Sequence, residues 1–305
     1  VNAFNAGLRQ ATIETVAEIA DQCDGIRCDM AMLMLNEVFE RTWGARVGAR
    51  PSEDYWRILI PAIKSQRPDF KFIAEAYWDL EWQLQQQGFD FCYDKKLYDR
   101  MEHGSAETVR QHLLADAAYQ QRMVRFIENH DEPRATIAFP SLQGRAAAVA
   151  LLTLPGARLL HEGQFEGNRV RLPVFLSRRP VEPVNLDLLA FYARLLKQTQ
   201  RAVFRDGEWH LCERRGWPDN QSCQQILSWA WHRGEERYLV VINYADRAAQ
   251  ASIHGPWYEL YGDHCRLHDV LTGESYERSA DDLCQHGLYV DLKPWQVHFF
   301  HLQCN

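Results

Sequence analysis

The chain has 305 residues, 46% of them hydrophobic, enough for one large domain and a smaller one around substantial cores. Its net charge of −7 is modest and spread out with no basic run, which argues against nucleic acid as a partner. No stretch approaches the roughly 18 consecutive apolar residues of a membrane-spanning helix, so no membrane partner is expected.

The chain begins at Val1, with neither a charged n-region nor an apolar h-region behind it. That start reads as a cut inside a longer protein. Asn5 is a plausible N-cap for a helix reaching Asp21, with Leu8, Ala11, Ile13, Val16, Ala17 and Ala20 near helical period. The stretch Asp24-Gly25-Ile26-Arg27-Cys28-Asp29 then reads as a buried strand ending in a carboxylate. Side chains two apart on a strand share a face, so Gly25, Arg27 and Asp29 lie together. A guanidinium beside a carboxylate keeps it ionised, as a nucleophile on carbon requires. Taken alone, the stretch reads equally as a plain strand-end ion pair.

Pro51-Ser52-Glu53-Asp54 opens a helix through about Ser65, and Lys71 to Glu75 is the next strand. Gln87 to Tyr93 is a third strand, and Glu107 to Ala118 is helical. Arg122 to Asn129 is strand-like and runs into His130-Asp131, with Pro133 as a stop. Gln143 to Thr153 is an Ala/Leu helix, Ala157 to His161 a fifth strand, and Asn185 to about Gln200 an amphipathic helix. Alternating strands and helices indicate βα units around a parallel sheet. From about Phe204 the pattern becomes short and β-rich, as in an antiparallel sandwich. Residues 1–202 are expected to form a partial (β/α) barrel and residues 203–305 an all-β sandwich. The aromatics Trp229, Trp231, Trp257, Trp295, Phe299 and Phe300 alternate as sandwich core residues do. The eight cysteines show no metal spacing and read as mostly free thiols, which favours a cytoplasmic protein. No CxxC or HExxH motif is present, and no metal site is expected.

Three strands end in charged groups: Asp29, Glu75 and Asn129-His130-Asp131. In a βα barrel the strand C-termini gather on one face, where catalysis takes place. Glu75 follows Phe72, Ile73 and Ala74, an apolar setting expected to keep it protonated as a general acid. Tyr77 and Trp78 follow the acid strand and can offer aromatic faces to a ligand or pack within their loop, with Trp82 the weaker candidate. Trp43 and Trp56 are read as packing residues. His161 can line a pocket or serve as a hydrogen-bonded structural residue. Arg134 can orient Asp131 or lie solvated on the surface. Glu162 and Glu166 are read as loop charges.

In that order, DGIRCD (24–29), FIAEA (72–76) and FIENHDEPR (126–134) resemble the second, third and fourth signature regions of the α-amylase family (glycoside hydrolase family 13). The end of that family's barrel is echoed by residues 151–156 and by Glu162-Gly163-Gln164. The resemblance implies a (β/α)8 barrel represented by strands four to eight, followed by the β-sandwich. It implies a retaining glycosidase acting by double displacement on α-glucosidic bonds of oligo- or polysaccharides. Asp29 would be the nucleophile, Glu75 the acid and then base, and Asp131 a group that holds sugar hydroxyls and helps distort the ring. Asn129 and His130 would sit on the sugar, and Arg27 would orient Asp29. The same residues also serve transglycosidases and isomerases, and some relatives keep the fold without chemistry.

Two departures qualify the resemblance. The family's first region, an Asp with Asn-His at the end of the third strand, has no counterpart, nor do the first three strands. Five strands leave unpaired edges, so a missing N-terminal segment or a homo-oligomer is implied. Met32 and Leu33 stand where the family often has a Lys-His pair. Because that His often supports calcium, no cofactor is expected and calcium least of all. An α-glucan or maltooligosaccharide is the implied substrate.

Overall fold

Asn5 starts the first helix, Ala6–Ala20, by accepting the Leu8 N–H on its side chain. The computed structural model describes residues 1–305 apart from 141, 174, 176, 177, 257–259, 261–263 and 305. Five parallel strands follow in chain order: β1 (Gly25–Cys28), β2 (Lys71–Ala74), β3 (Phe91–Tyr93), β4 (Met123–Arg125) and β5 (Ala157–Arg158). They form one sheet in the order β1-β2-β3-β4-β5. Sequential order with helical crossovers is what repeated βα units give. The expected five strands are present, and all five are shorter than the sequence suggests. After Tyr93 only Asp94 precedes the helix Lys95–His103, and after Arg125 and Arg158 the chain soon runs into loops.

The contacts divide the chain into two units. One is Val1–Lys96 with Asp116–Val124, and the other is Leu97–Ala115 with Arg125–Asn305. In the first unit the helix Tyr55–Lys64 buries Tyr55, Trp56, Leu59, Ile60 and Ile63, the stripe that a 3.6-residue period lays on one face. Trp56 anchors it. Its indole N–H donates to the Ala31 carbonyl at 2.8 Å, and its ring meets Phe89 edge-on. Trp43 is about half exposed and its ring leans on Phe39. Met32 is fully buried in the same core and Leu33 packs against it.

In the second unit the helix Leu142–Thr153 is apolar all round and is buried from Ala146 to Thr153. Among the described residues nine strands follow: β6 (Glu208–Leu211), β7 (Glu213–Arg215), β8 (Ile226–Arg233), β9 (Glu236–Asn243), β10 (Ala249–His254), β11 (His264–Asp269), β12 (Ser275–Ser279), β13 (Leu288–Leu292) and β14 (Val297–Cys304). They make two antiparallel sheets, β13-β10-β7 and β12-β11-β14-β9-β8-β6. Alternate residues of both sheets, among them Leu239, Val241, Ala251, Ile253, Leu267, Val290 and Phe300, fill a shared core.

The aromatic residues divide differently from the expectation. Phe300 is in the sandwich core, but Trp229, Trp231 and Phe299 are buried outside it. Trp229 and Trp231 donate their indole N–H groups to the hydroxyl and carbonyl of Thr153, and Phe204 packs on Trp231 and Phe299. The six-stranded sheet is therefore buried on both faces, and side-chain alternation put these rings on the face turned to the helix. Trp257 lies outside the described residues. One disulfide, Cys265–Cys304, joins directly opposed residues of β11 and β14. The other six cysteines are free.

Candidate active site

The site is built where β1 and β2 end. Their register pairs Arg27 with Ile73 and Cys28 with Ala74, so the next step places Asp29 beside Glu75. The ladder continues past the strands. The Glu75 N–H donates to the Cys28 carbonyl at 3.0 Å, and the Ala31 N–H donates to the Glu75 carbonyl at 3.1 Å. Gly25 permits the close approach of these strands, because a Cβ there would sit 2.6 Å from the Lys71 carbonyl oxygen.

Arg27 ties the two carboxylates together. Its Nη1 lies 2.7 Å from Oδ1 of Asp29, and its Nη2 lies 3.0 Å from Oε1 of Glu75. Burial alone would lower the Arg27 guanidinium, but its interactions with Asp29, Glu75 and Tyr93 raise it above its ordinary value. The Arg27 guanidinium also lies over the Tyr93 ring, 5.4 Å from its centroid. The two carboxylates differ sharply in exposure: 76% of the Asp29 side chain is accessible against 5% for Glu75.

The setting of Glu75 is not the apolar one its sequence neighbours suggest. Besides Arg27, the carboxylate accepts the Met30 N–H at 2.7 Å and the Tyr77 hydroxyl at 3.1 Å. Phe72 and Ala74 are buried on other sides of the strand. Met30 is held at φ 45°, left-handed backbone that a non-glycine residue adopts at a cost, and it sits immediately after Asp29. Tyr77 therefore binds the acid through its oxygen. Trp78 and Asp79 are also left-handed, with φ of 63° and 61°, and Trp78 stands 59% exposed. Asp79 is ion-paired with Lys96. Trp82 is exposed and leans on Tyr119.

The third motif belongs to the second unit and follows β4. Asn129 is buried, and its side-chain oxygen accepts the N–H groups of Asp131 and Glu132, at 2.8 and 3.0 Å. This Asx turn presents His130 and Asp131, whose side chains pair at 3.0 Å and are each 39% exposed. Behind them lies a buried network. Glu128 pairs with Arg134 at 3.2 Å and His161 at 3.0 Å, and accepts the Ala135 N–H at 2.6 Å. Burial pushes the Glu128 carboxyl above its ordinary value, partly offset by these three partners. Arg134 also donates to the Glu162 carbonyl at 2.8 Å. It is buried, so it is no solvated surface arginine, and its bonds go to Glu128, His161 and the Glu162 carbonyl. His161 takes the hydrogen-bonded structural place. Gly163, at φ 83°, leaves the space that Arg134 and Asn168 occupy.

No sequence reading singled out the Met30 N–H, Tyr93 or Glu128. Tyr93 closes the third strand, where barrel chemistry gathers, and Glu128 lies inside the third motif. Those two carried signals of position. The Met30 contact depends on backbone conformation and left none.

No protein-family model matches the chain. Over 172 residues it is 30% identical to an α-amylase, MalA, of Haloarcula japonica, a match covering 54% of this chain and 23% of that protein. The chain thus spans about a quarter of this relative. Among solved structures, a maltogenic α-amylase, AmyB, from Thermotoga neapolitana superposes with a TM-score of 0.73 at 19% identity, covering 99% of this chain and 67% of that one. An α-amylase from Geobacillus thermoleovorans, solved with acarbose, superposes with a TM-score of 0.70 at 14% identity, covering 98% and 64%.

Proposed function

This chain is related to the α-amylase family, and from that premise we propose that it carries the catalytic pair of a retaining α-glucoside hydrolase. The observation that carries the reading is the side-by-side placement of Asp29 and Glu75 on one guanidinium. Neighbouring strands in a parallel sheet run about 4.8 Å apart, close to the roughly 5–5.5 Å that separates the carboxyl groups of retaining enzymes. An inverting pair needs room for a water between them, and neighbouring strand ends leave little.

The likeness of DGIRCD and FIAEA to the family's second and third regions supports the roles, and the difference in exposure supports Asp29 as the attacking group. The accessible Asp29 carboxylate attacks the anomeric carbon while Glu75 gives its proton to the departing glycosidic oxygen. The glycosyl ester on Asp29 is then cleaved by water, whose proton returns to Glu75. Arg27 holds both carboxylates in place through the two steps. The likeness of FIENHDEPR to the family's fourth region assigns Asp131 and His130 to sugar hydroxyls, with Asn129 shaping their turn. The substrate class is an α-glucan or maltooligosaccharide, in keeping with the acarbose bound by the Geobacillus relative.

The test is Asp29→Asn in this chain, assayed on an activated α-glucoside. Turnover is expected to fall by at least about 10³-fold, as when a nucleophile is removed. The first product followed by NMR should be the α-anomer. A β-anomer sinks the double displacement, and turnover unchanged by the substitution sinks the nucleophile. No turnover in the unaltered chain favours a non-catalytic amylase-like module. Glucosyl transfer to an added maltooligosaccharide in place of hydrolysis makes the enzyme a transglycosidase.

A further inference from the structure

We propose that Glu208, His210 and His232 form a binding site for zinc, or another divalent late transition ion, on the edge of the six-stranded sheet. Glu208 and His210 are two apart on β6, so they share a face. Glu208 stands directly opposite His232 of β8 in the antiparallel register, which brings all three side chains to the same side of the ladder. The Nε2 atoms of the two histidines are 3.2 Å apart. Oε2 of Glu208 lies 3.4 Å from the His232 nitrogen and 3.8 Å from that of His210.

These separations match a coordination sphere. Donor atoms each about 2.0–2.1 Å from a tetrahedral zinc stand about 3.3 Å from one another. The three atoms therefore outline one face of such a tetrahedron before any ion arrives. The alternative is a single N–H···N bond between two neutral imidazoles, which accounts for the 3.2 Å contact. The carboxylate oxygen at a similar distance from both nitrogens adds a third donor, which an imidazole pair by itself does not need. Two imidazoles and one carboxylate suit zinc, copper or nickel and disfavour calcium and magnesium, which take oxygen ligands. The His232 side chain is 16% exposed, His210 35% and Glu208 75%, so an ion can enter from the solvent side and keep a water as fourth ligand. Because β6 is the terminal strand of its sheet, a bound ion would clamp that edge to β8.

The chain, stripped with EDTA, is titrated with zinc chloride by calorimetry. One equivalent is expected to bind and raise the melting temperature. The variants Glu208→Gln and His210→Ala/His232→Ala should each bind at least about tenfold more weakly, as loss of a ligand requires. If the double variant does not fold, the exposed Glu208→Gln change still decides. Absence of zinc binding in the unaltered chain overturns the proposal. So does binding that is unchanged in Glu208→Gln, which removes Glu208 from the ligands.

Discussion

Arg27 is the residue on which the two candidate catalytic carboxylates converge, and its fork geometry is what lets it serve both. One guanidinium nitrogen takes Asp29 and the other takes Glu75. A lysine keeps the charge but offers a single point donor and cannot span two acceptors in a fixed plane. Arg27→Lys is therefore expected to lower kcat about 10²-fold, the scale of misplacing a reacting group by an ångström, with a much smaller change in KM. Steady-state kinetics on an activated α-glucoside checks this. A KM effect alone would make Arg27 a substrate-binding group and remove it from the positioning role. In the sequence Arg27 was legible only as the partner of Asp29, through the two-residue alternation of a strand. Its second bond, to Glu75, depends on the β1–β2 register, which no local pattern contains. The same limit explains Glu75 itself. Its neighbours in sequence are apolar, yet the groups that surround the carboxylate come from Met30 and Tyr77, the first of them 45 residues away.

At the scale of elements, the ends of strands rather than their lengths carry the function. β1 and β2 span four residues each and β5 only two, and between β1 and β2 the backbone bonding runs on past the strands to Glu75 and Ala31. The run 122–129 looks like one long strand, since Phe126 and Ile127, which lie beyond the ladder, are as apolar and buried as Met123 and Val124 within it. The helices Asn36–Trp43, Glu81–Gln86 and Lys95–His103 were not legible for the opposite reason. They are short and polar, with apolar positions too few to set a period. Gly25 shows how closely strand spacing is fixed. Adding a methyl group would force it within 2.6 Å of the Lys71 carbonyl oxygen and 2.9 Å of the Lys71 Cβ. Overpacking of this kind costs about 1–3 kcal/mol. Gly25→Ala should therefore lower stability by that amount in urea unfolding. It should also reduce activity more than stability, because the strands it parts carry Asp29 and Glu75. Full activity in a destabilised protein would show that the pair tolerates a changed register.

At the scale of the whole molecule, the change from parallel to antiparallel sheet was legible, since it follows the switch from alternating βα patterns to short strands between turns. What joins residues before and after 203 within the second unit was not, because each link pairs distant positions. Thr153 receives Trp229 and Trp231, the Tyr244 hydroxyl donates to the Met101 carbonyl at 2.7 Å, and Arg110 donates to the Cys212 carbonyl at 2.8 Å. Met101, Thr153, Trp229, Trp231 and Tyr244 are buried, so removing one side exposes apolar surface to water. Exposed apolar surface costs about 25 cal/mol per Å², so about 200 Å² is worth about 5 kcal/mol, a large share of a stability of about 5–15 kcal/mol. A chain ended at Ala202 is therefore expected to lose cooperative unfolding and to bind a hydrophobic dye, while the full chain does neither. The measurement is thermal unfolding with size-exclusion chromatography on both. A monomeric 1–202 piece that melts in one sharp transition would establish that the parallel sheet and its helices hold together without the sandwich. The aromatic seam around Thr153 would then be a docking contact between separately stable parts, and its substitution would leave the Asp29–Glu75 chemistry untouched.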